Sequence, residues 1–200
     1  MQIRELSVPD AYEVTPVQHG DDRGVFLEWF KDEIFAGAVG HRLDLKQANI
    51  SVSSRGTLRG IHFADVPPGQ AKYVTCVSGS VLDVVVDIRV GSPTFGQWDS
   101  VLLDDTDRRA VYVAEGLGHV FMALSDGAVV SYLCSEGYSP TREHGLHPLD
   151  PEIAIDWPPD IEPLLSPKDE AAPFLRQAQE QGLLPTYDEC RRFYDQLRND

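Results

Sequence analysis

The sequence predicts an all-β protein, an antiparallel sandwich or barrel closed by short C-terminal helices. Three observations predict it. Across residues 81–90, Leu82, Val84, Val86 and Ile88 alternate with Asp83, Val85, Asp87 and Arg89, the period of two that a strand imposes. Further short strand candidates recur along most of the chain, separated by turn residues. The gaps between them show no helical periodicity, whereas a parallel sheet would need crossovers of about a dozen residues or more.

In order, the candidates are 47–52, 58–63, 73–77, 81–90, 110–113, 119–124 and 128–134. Gly79, Gly91-Ser92-Pro93, Gly118, Ser125-Asp126-Gly127 and Ser139-Pro140 punctuate them. The character changes near Trp157-Pro158-Pro159. Ser166-Pro167-Lys168-Asp169 reads as a helix start with proline at the first helical position. Pro185-Thr186 opens a second helix over 187–197, whose apolar Tyr187, Cys190, Tyr194 and Leu197 fall on one face. The expected organisation is one β domain, residues 1–165, with a helical tail, 166–200, packed against it.

Composition narrows the function. The chain has 200 residues, 42% of them hydrophobic and 24% charged, enough for a packed core. Seventeen Lys and Arg against 32 Asp and Glu leave a net charge of −15, which argues against nucleic-acid and anionic-membrane partners. No apolar run approaches the ~18 residues of a membrane span, and the N-terminus lacks a secretory pattern. Three widely spaced cysteines, Cys76, Cys134 and Cys190, suit a reducing cytoplasm better than a disulfide framework. Gly-rich phosphate loops, the G-x-S-x-G elbow and H-E-x-x-H are all missing.

What remains is a scatter of chemically useful side chains on strands. His62 lies in Gly56-Thr57-Leu58-Arg59-Gly60-Ile61-His62, near Arg59 and ahead of Lys72. A strand histidine is more often packed than catalytic, but one between strand-borne cations is a reasonable base near an anionic ligand. Alternation places His119 on the face of Phe121 and Ala123. A metal-binding barrel would want a second histidine just after His62 and an acid beyond it. Phe63, Ala64 and then Pro67-Pro68-Gly69-Gln70 stand there instead, so metal is disfavoured. Tyr132, Asp169 and Arg23 each have a plain structural explanation when taken singly: a strand residue, a charge near a helix N-terminus and a turn residue.

Taken together they form an ordered set. It runs Asp22-Arg23-Gly24-Val25-Phe26-Leu27-Glu28, Gln47-Ala48-Asn49-Ile50-Ser51, the His62 segment, Pro68-Gly69-Gln70-Ala71-Lys72 and Asp83-Val84-Val85-Val86-Asp87-Ile88-Arg89. It continues through Ser92-Pro93-Thr94-Phe95-Gly96, Tyr132, Tyr138-Ser139-Pro140, Trp157-Pro158 and Leu165-Ser166-Pro167-Lys168-Asp169. In this order the motifs resemble the dTDP-4-dehydrorhamnose 3,5-epimerase family over roughly residues 3 to 170.

The resemblance implies a metal-free, cofactor-independent cupin-like barrel (a jelly roll), a homodimer with exchanged N-terminal strands, and dTDP-4-keto-6-deoxyglucose as substrate. It implies His62 as base, Asp169 as its orienting partner, Tyr132 as acid on the opposite face of the sugar, and Lys72 beside the developing enolate oxygen. Arg59 and His119 would bind diphosphate or sugar. Gln47, Asn49, Tyr138 and Lys168 would line the cleft, with Arg23 and Glu28 contributing from the other subunit. The chemistry suits those residue types. An imidazole, with an ordinary pKa of about 6.5, can take a proton near neutral pH, and a phenol at about 10 can hold one until an enolate needs it. The same pair serves one inversion, at the 3-carbon, or two. Phe63, where rhamnose-pathway members often carry tyrosine, and the long tail lean toward an antibiotic-type deoxysugar pathway. The competing readings are a nucleotide-sugar ketoisomerase, a non-catalytic sugar-nucleotide binder and a metal-dependent cupin oxygenase.

Overall fold

A computed structural model describes residues 1–199. Its strands are β1 (Gln2–Glu5), β2 (Ala11–Thr15), β3 (Gln18–Asp21), β4 (Gly24–Leu27), β5 (Gln47–Ser53), β6 (Leu58–Ala64), β7 (Lys72–Ser78), β8 (Ser80–Val86), β9 (Trp98–Asp104), β10 (Ala110–Val113), β11 (Gly118–Ala123), β12 (Ala128–Cys134) and β13 (Glu143–Gly145). Helix α1 (Asp32–Val39) precedes β5, and α2 (Pro167–Glu170), α3 (Leu175–Glu180) and α4 (Tyr187–Leu197) follow the last strand. Six strands form one sheet in the order β1-β2-β10-β7-β12-β5, and five form another, β13-β6-β11-β8-β9. Every strand pair in the two sheets is antiparallel. Neighbours far apart in sequence give the jelly-roll crossover pattern of a cupin-like barrel, as the resemblance implies.

Alternation along β8 and β11 builds two cores. Val81, Val85, Phe121 and Ala123 point inward, packing with Val74, Val111 and Val130 of the other sheet. Val84, Val86, Val120 and Met122 point outward, where Leu146, Ile153, Ile161, Leu175 and Ala178 cover them. The five-stranded sheet is therefore buried on both faces, and the polar members of its alternation are not solvent-facing. Asp83, for example, is buried inside the barrel.

The strand expected over 81–90 ends at Val86. Beyond it, the Asp87 carboxylate accepts hydrogen bonds from Arg89 Nε at 2.9 Å and Arg89 Nη2 at 2.8 Å. Arg89 Nη1 donates to Asp10 Oδ2 at 2.7 Å, and the guanidinium lies 5.0 Å from the Tyr187 ring centre. This fully buried arginine ties the N-terminal segment and α4 to the barrel. Arg89→Met is expected to strand two carboxylates and cost about 3–5 kcal/mol. Urea denaturation checks it: a variant within 1 kcal/mol of wild type, to order of magnitude, shows that the network contributes little.

Helix α4 spans the predicted 187–197, with Thr186 capping it by accepting from Glu189 N at 3.3 Å, and Cys190 and Tyr194 buried. The predicted start at Ser166-Pro167 is also found: the Ser166 side chain accepts from Asp169 N at 3.1 Å. Four N-terminal strands, β9, β13, α1 and α3 were not among the predicted elements. Among the described residues, no helix is long and apolar enough to cross a membrane.

Candidate active site

A cleft lined from both sheets has two adjoining chambers, of about 510 Å³ and about 300 Å³. His62, Tyr132, Tyr138 and Glu143 line both. Arg59, Lys168 and Asp169 line the larger, and Gln47, Asn49, Gln70 and Lys72 the smaller. Nine of the twelve residues singled out from the sequence therefore meet here.

His62 comes from β6 and Tyr132 from β12, so the two stand on opposite sheets and opposite walls. Arg59 and His62 are three apart, an odd separation that a regular strand would send to opposite faces. A bulge intervenes. His62 pairs with His119 and Arg59 with Phe121, so β6 has one residue more than β11 between these rungs. Gly60 makes this possible: at φ +124° a side chain there would press its Cβ to 2.8 Å from Val120 Cα.

Asp169 reaches His62 from α2, 107 residues along the chain, and its Oδ1 lies 2.7 Å from His62 Nε2. Because a carboxylate only accepts, Nε2 carries the proton, and Nδ1 is left to receive one. Ser166 holds the other carboxylate oxygen, donating to Oδ2 at 2.8 Å. Burial alone would raise the Asp169 carboxyl. The His62 hydrogen bond and charge, the Ser166 bond and nearby Lys168 outweigh it and hold the group below its usual value. The orienting partner is thus ionised at neutral pH.

On the facing wall, burial pushes the Tyr132 hydroxyl above the ordinary phenol value; Cys134 and Glu143 add to this and Arg59 opposes it. Tyr132 therefore keeps its proton at neutral pH. Burial pushes the Lys72 ammonium down, against the charges of Cys134, Glu143 and Asp83. Gln47 Nε2 donates to Asn49 Oδ1 at 2.8 Å, while Gln47 Oε1 accepts from Tyr138 N at 2.9 Å, which ties these three residues together.

Three expected residues are placed elsewhere. His119 is buried behind His62, its Nε2 bonded to Asp83 Oδ2 at 2.8 Å, and does not line the chambers. Its ring is engaged with Asp83 inside the barrel. Arg23 sits at the tip of the β3–β4 hairpin, paired with Asp21 at 3.1 Å and with its side chain 90% exposed. Glu28 pairs with Lys31 at 3.3 Å just beyond that hairpin. A single chain does not bring either to the cleft. Conversely, Glu143 and Gln70 line the chambers and were missed as site residues. The place of Glu143 on β13, paired to β6, is a long-range fact. Among the described residues, no three His, Cys, Asp or Glu side chains converge as metal ligands.

A barrel with an oriented imidazole on one wall and a protonated phenol on the other is equipped to move protons at two faces of one ligand, which is the work of an acid–base isomerase. Comparison with known proteins makes this specific. A family model described as dTDP-4-dehydrorhamnose 3,5-epimerase matches residues 5–177. The chain is 58% identical to a dTDP-4-dehydrorhamnose 3,5-epimerase of Mycolicibacterium smegmatis, over 100% of this chain and 98% of that one. It is 59% identical to a dTDP-4-dehydrorhamnose 3-epimerase of Streptomyces niveus, over 96% and 92% respectively. Among solved structures, the Mycobacterium tuberculosis rmlC epimerase matches with a TM-score of 0.97 at 57% identity, covering 99% of this chain and 100% of the other. A 3'-monoepimerase from Streptomyces bikiniensis, in complex with dTDP-quinovose, matches at 0.95 and 52%, covering 98% of each. This chain belongs to the dTDP-4-dehydrorhamnose 3,5-epimerase family.

Of the two features that leaned toward an antibiotic-type pathway, the tail does not separate the two kinds of relative. Phe63 packs in the outer core, away from His62's face. The tail, for its part, is matched along its whole length by the Mycolicibacterium 3,5-epimerase.

Proposed function

We propose that this enzyme inverts the 3-carbon of dTDP-4-keto-6-deoxyglucose, and the 5-carbon where the sugar can re-present its other face, through an enolate. The observation that carries the reading is the His62–Asp169 pair at 2.7 Å on one wall of a cleft whose other wall carries Tyr132. Hydrogens at the 3- and 5-carbons are acidic because removing either delocalises charge onto the 4-keto oxygen. His62 takes the proton through Nδ1, and Asp169 stabilises the resulting imidazolium through Nε2. Lys72 donates to the enolate oxygen, where preorganised stabilisation contributes most. Tyr132 returns a proton to the opposite face, which inverts the centre. Arg59 and Lys168, in the larger chamber, hold the diphosphate inside a protein that is acidic overall.

A homodimer with exchanged N-terminal strands completes the site in this reading. The β3–β4 hairpin pairs with no other strand among the described residues, and Phe26 on it is 67% exposed. Strand β5 ends the six-stranded sheet with Ile50 72% and Val52 65% exposed. An unpaired apolar hairpin and an unpaired apolar edge suit each other across a two-fold axis, and such a docking would carry a partner's hairpin tip toward the cleft beside β5. Sedimentation at micromolar concentration is expected to give twice the chain mass; a monomer overturns this part. Three buried free cysteines suit the cytoplasm as the compartment.

The test is incubation with dTDP-4-keto-6-deoxyglucose in deuterium oxide, followed by NMR. Deuterium at the 3-carbon with inversion there defines a 3-epimerase, and inversion at both carbons defines the 3,5-enzyme. Binding of dTDP without any exchange defeats the epimerase reading in favour of a ketoisomerase or a binding protein.

A further inference from the structure

Glu115, in the loop between β10 and β11, is only 3% exposed and takes no part in the chemistry described above. Its Oε1 accepts from Ser135 Oγ at 3.2 Å, and Ser135 Oγ accepts in turn from Ala71 N at 2.8 Å. The Ser135 amide closes the same rung by donating to Ala71 O at 3.1 Å. Ala71 lies between Gln70 and Lys72, both of which line the smaller chamber. Gly69, at φ +70°, leaves no room for a side chain, since its Cβ would meet Glu115 Cγ at 2.8 Å. The approach to Gln70 and Lys72 is therefore packed directly on the Glu115 stem.

The tail grips the same residue from behind. Tyr194 of α4 donates its hydroxyl to the Glu115 carbonyl. Cys190 fills the space beside Gly116, where a Cβ would collide with its sulfur. Among the described residues, Glu115 Oε2 finds no hydrogen-bond partner. Burial pushes its carboxyl up to about 7, against its own backbone amide and the Ser135 and Ala71 hydrogen bonds. A buried carboxyl with one orphaned oxygen costs stability that an apolar side chain would not. Such departures are expected where the group does something that packing alone cannot.

We propose that Glu115 is a positioning residue: through Ser135 and the Ala71 amide it fixes the rung from which Lys72 reaches the sugar, and α4 clamps it from outside. The inference rests on Lys72 acting at the keto oxygen, as proposed above. It gives the C-terminal helix, which lies beyond the family match at residue 177, a part in the site.

A double-mutant cycle on the full chain tests it, because residues that act through one another are non-additive whereas independent ones multiply. Lys72→Met is expected to lower kcat about 100-fold. Glu115→Ala is expected to lower it about tenfold, with KM within about twofold, because a small misplacement of a charged donor weakens the transition state. The double variant should match Lys72→Met, since there is no longer a lysine to misplace. Glu115→Gln, which keeps an acceptor for Ser135, should restore most of the rate. If the two losses multiply, Glu115 acts apart from Lys72 and the inference is overturned. It is also overturned, with the Lys72 reading intact, if Glu115→Ala folds and turns over like wild type while Lys72→Met does not. A fully active Lys72→Met instead defeats the lysine's assigned role, and the inference with it. Should Glu115→Ala fail to fold, Ser135→Ala breaks the same link and takes its place in the cycle with the same outcomes.

Discussion

Changing His62 to Asn is expected to lower turnover by about 10³-fold or more while leaving dTDP affinity within about twofold. The reasoning is geometric. Nδ1 of His62 is the free ring nitrogen on its wall, and the Asp169 carboxylate serves to keep it free by holding the proton on Nε2. The asparagine amide overlays the Nδ1 side of the ring and stops short of Asp169, whose carboxylate keeps its Ser166 bond, and an amide cannot accept a proton near neutral pH. Arg59 and Lys168 sit in the larger chamber and are untouched. Deuterium exchange at the 3-carbon should vanish with turnover. Exchange at the wild-type rate in His62→Asn removes this residue from the mechanism.

Tyr132→Phe should separate two steps that wild type couples. It deletes one hydroxyl from a half-buried ring whose pairing to Asn49 and Val74 is through the backbone, so the strand is undisturbed. His62 can still form the enolate and return the same proton position to solvent, so exchange at the 3-carbon continues. Inversion needs a donor on the other wall and should fall by about 10²- to 10⁴-fold. NMR in deuterium oxide reads both quantities in one sample. Equal loss of exchange and of inverted product would show that Tyr132 is not the acid, and Glu143, which lines both chambers, is then the next donor to replace.

Both experiments depend on how the two walls are built, and much of that was legible beforehand. Strands β10 and β12 lie where alternation and turn residues put them, and β5, β6, β7 and β11 lie within a residue of it at each end. Helix α4 matches its predicted span because Pro185-Thr186 gives it a start and its apolar residues share one face. The missed elements share a different property. β3 and β4 are almost wholly exposed, so no buried face writes an alternation into them. β9 carries Asp99 and Asp104 and buries only Val101 and Leu103. Helix α1 is eight residues long, has Gly37 inside it and lacks a side-chain cap at its N-terminus. In each case the exposed or weakly patterned residues leave local propensity too weak a signal to reveal the element.

The site divides along the same line. Residue type and local backbone geometry fix which side chains are capable of the chemistry, the strand period that turns half of them inward, and the Ser166 cap that aims Asp169. These are properties of residue type and short-range backbone geometry. Only the tertiary structure decided which of them meet. A bulge at Gly60 puts Arg59 and His62 on one face against the parity of their spacing. Sheet closure sets β12 across from β6, and crossover connections bring Glu143 and Asp169 to the same wall. Burial then moves the Tyr132 and Lys72 protonation equilibria, which depend on lost water and on charges contributed by other strands. Those are long-range effects of solvent exclusion, and a linear chain carries no local record of them.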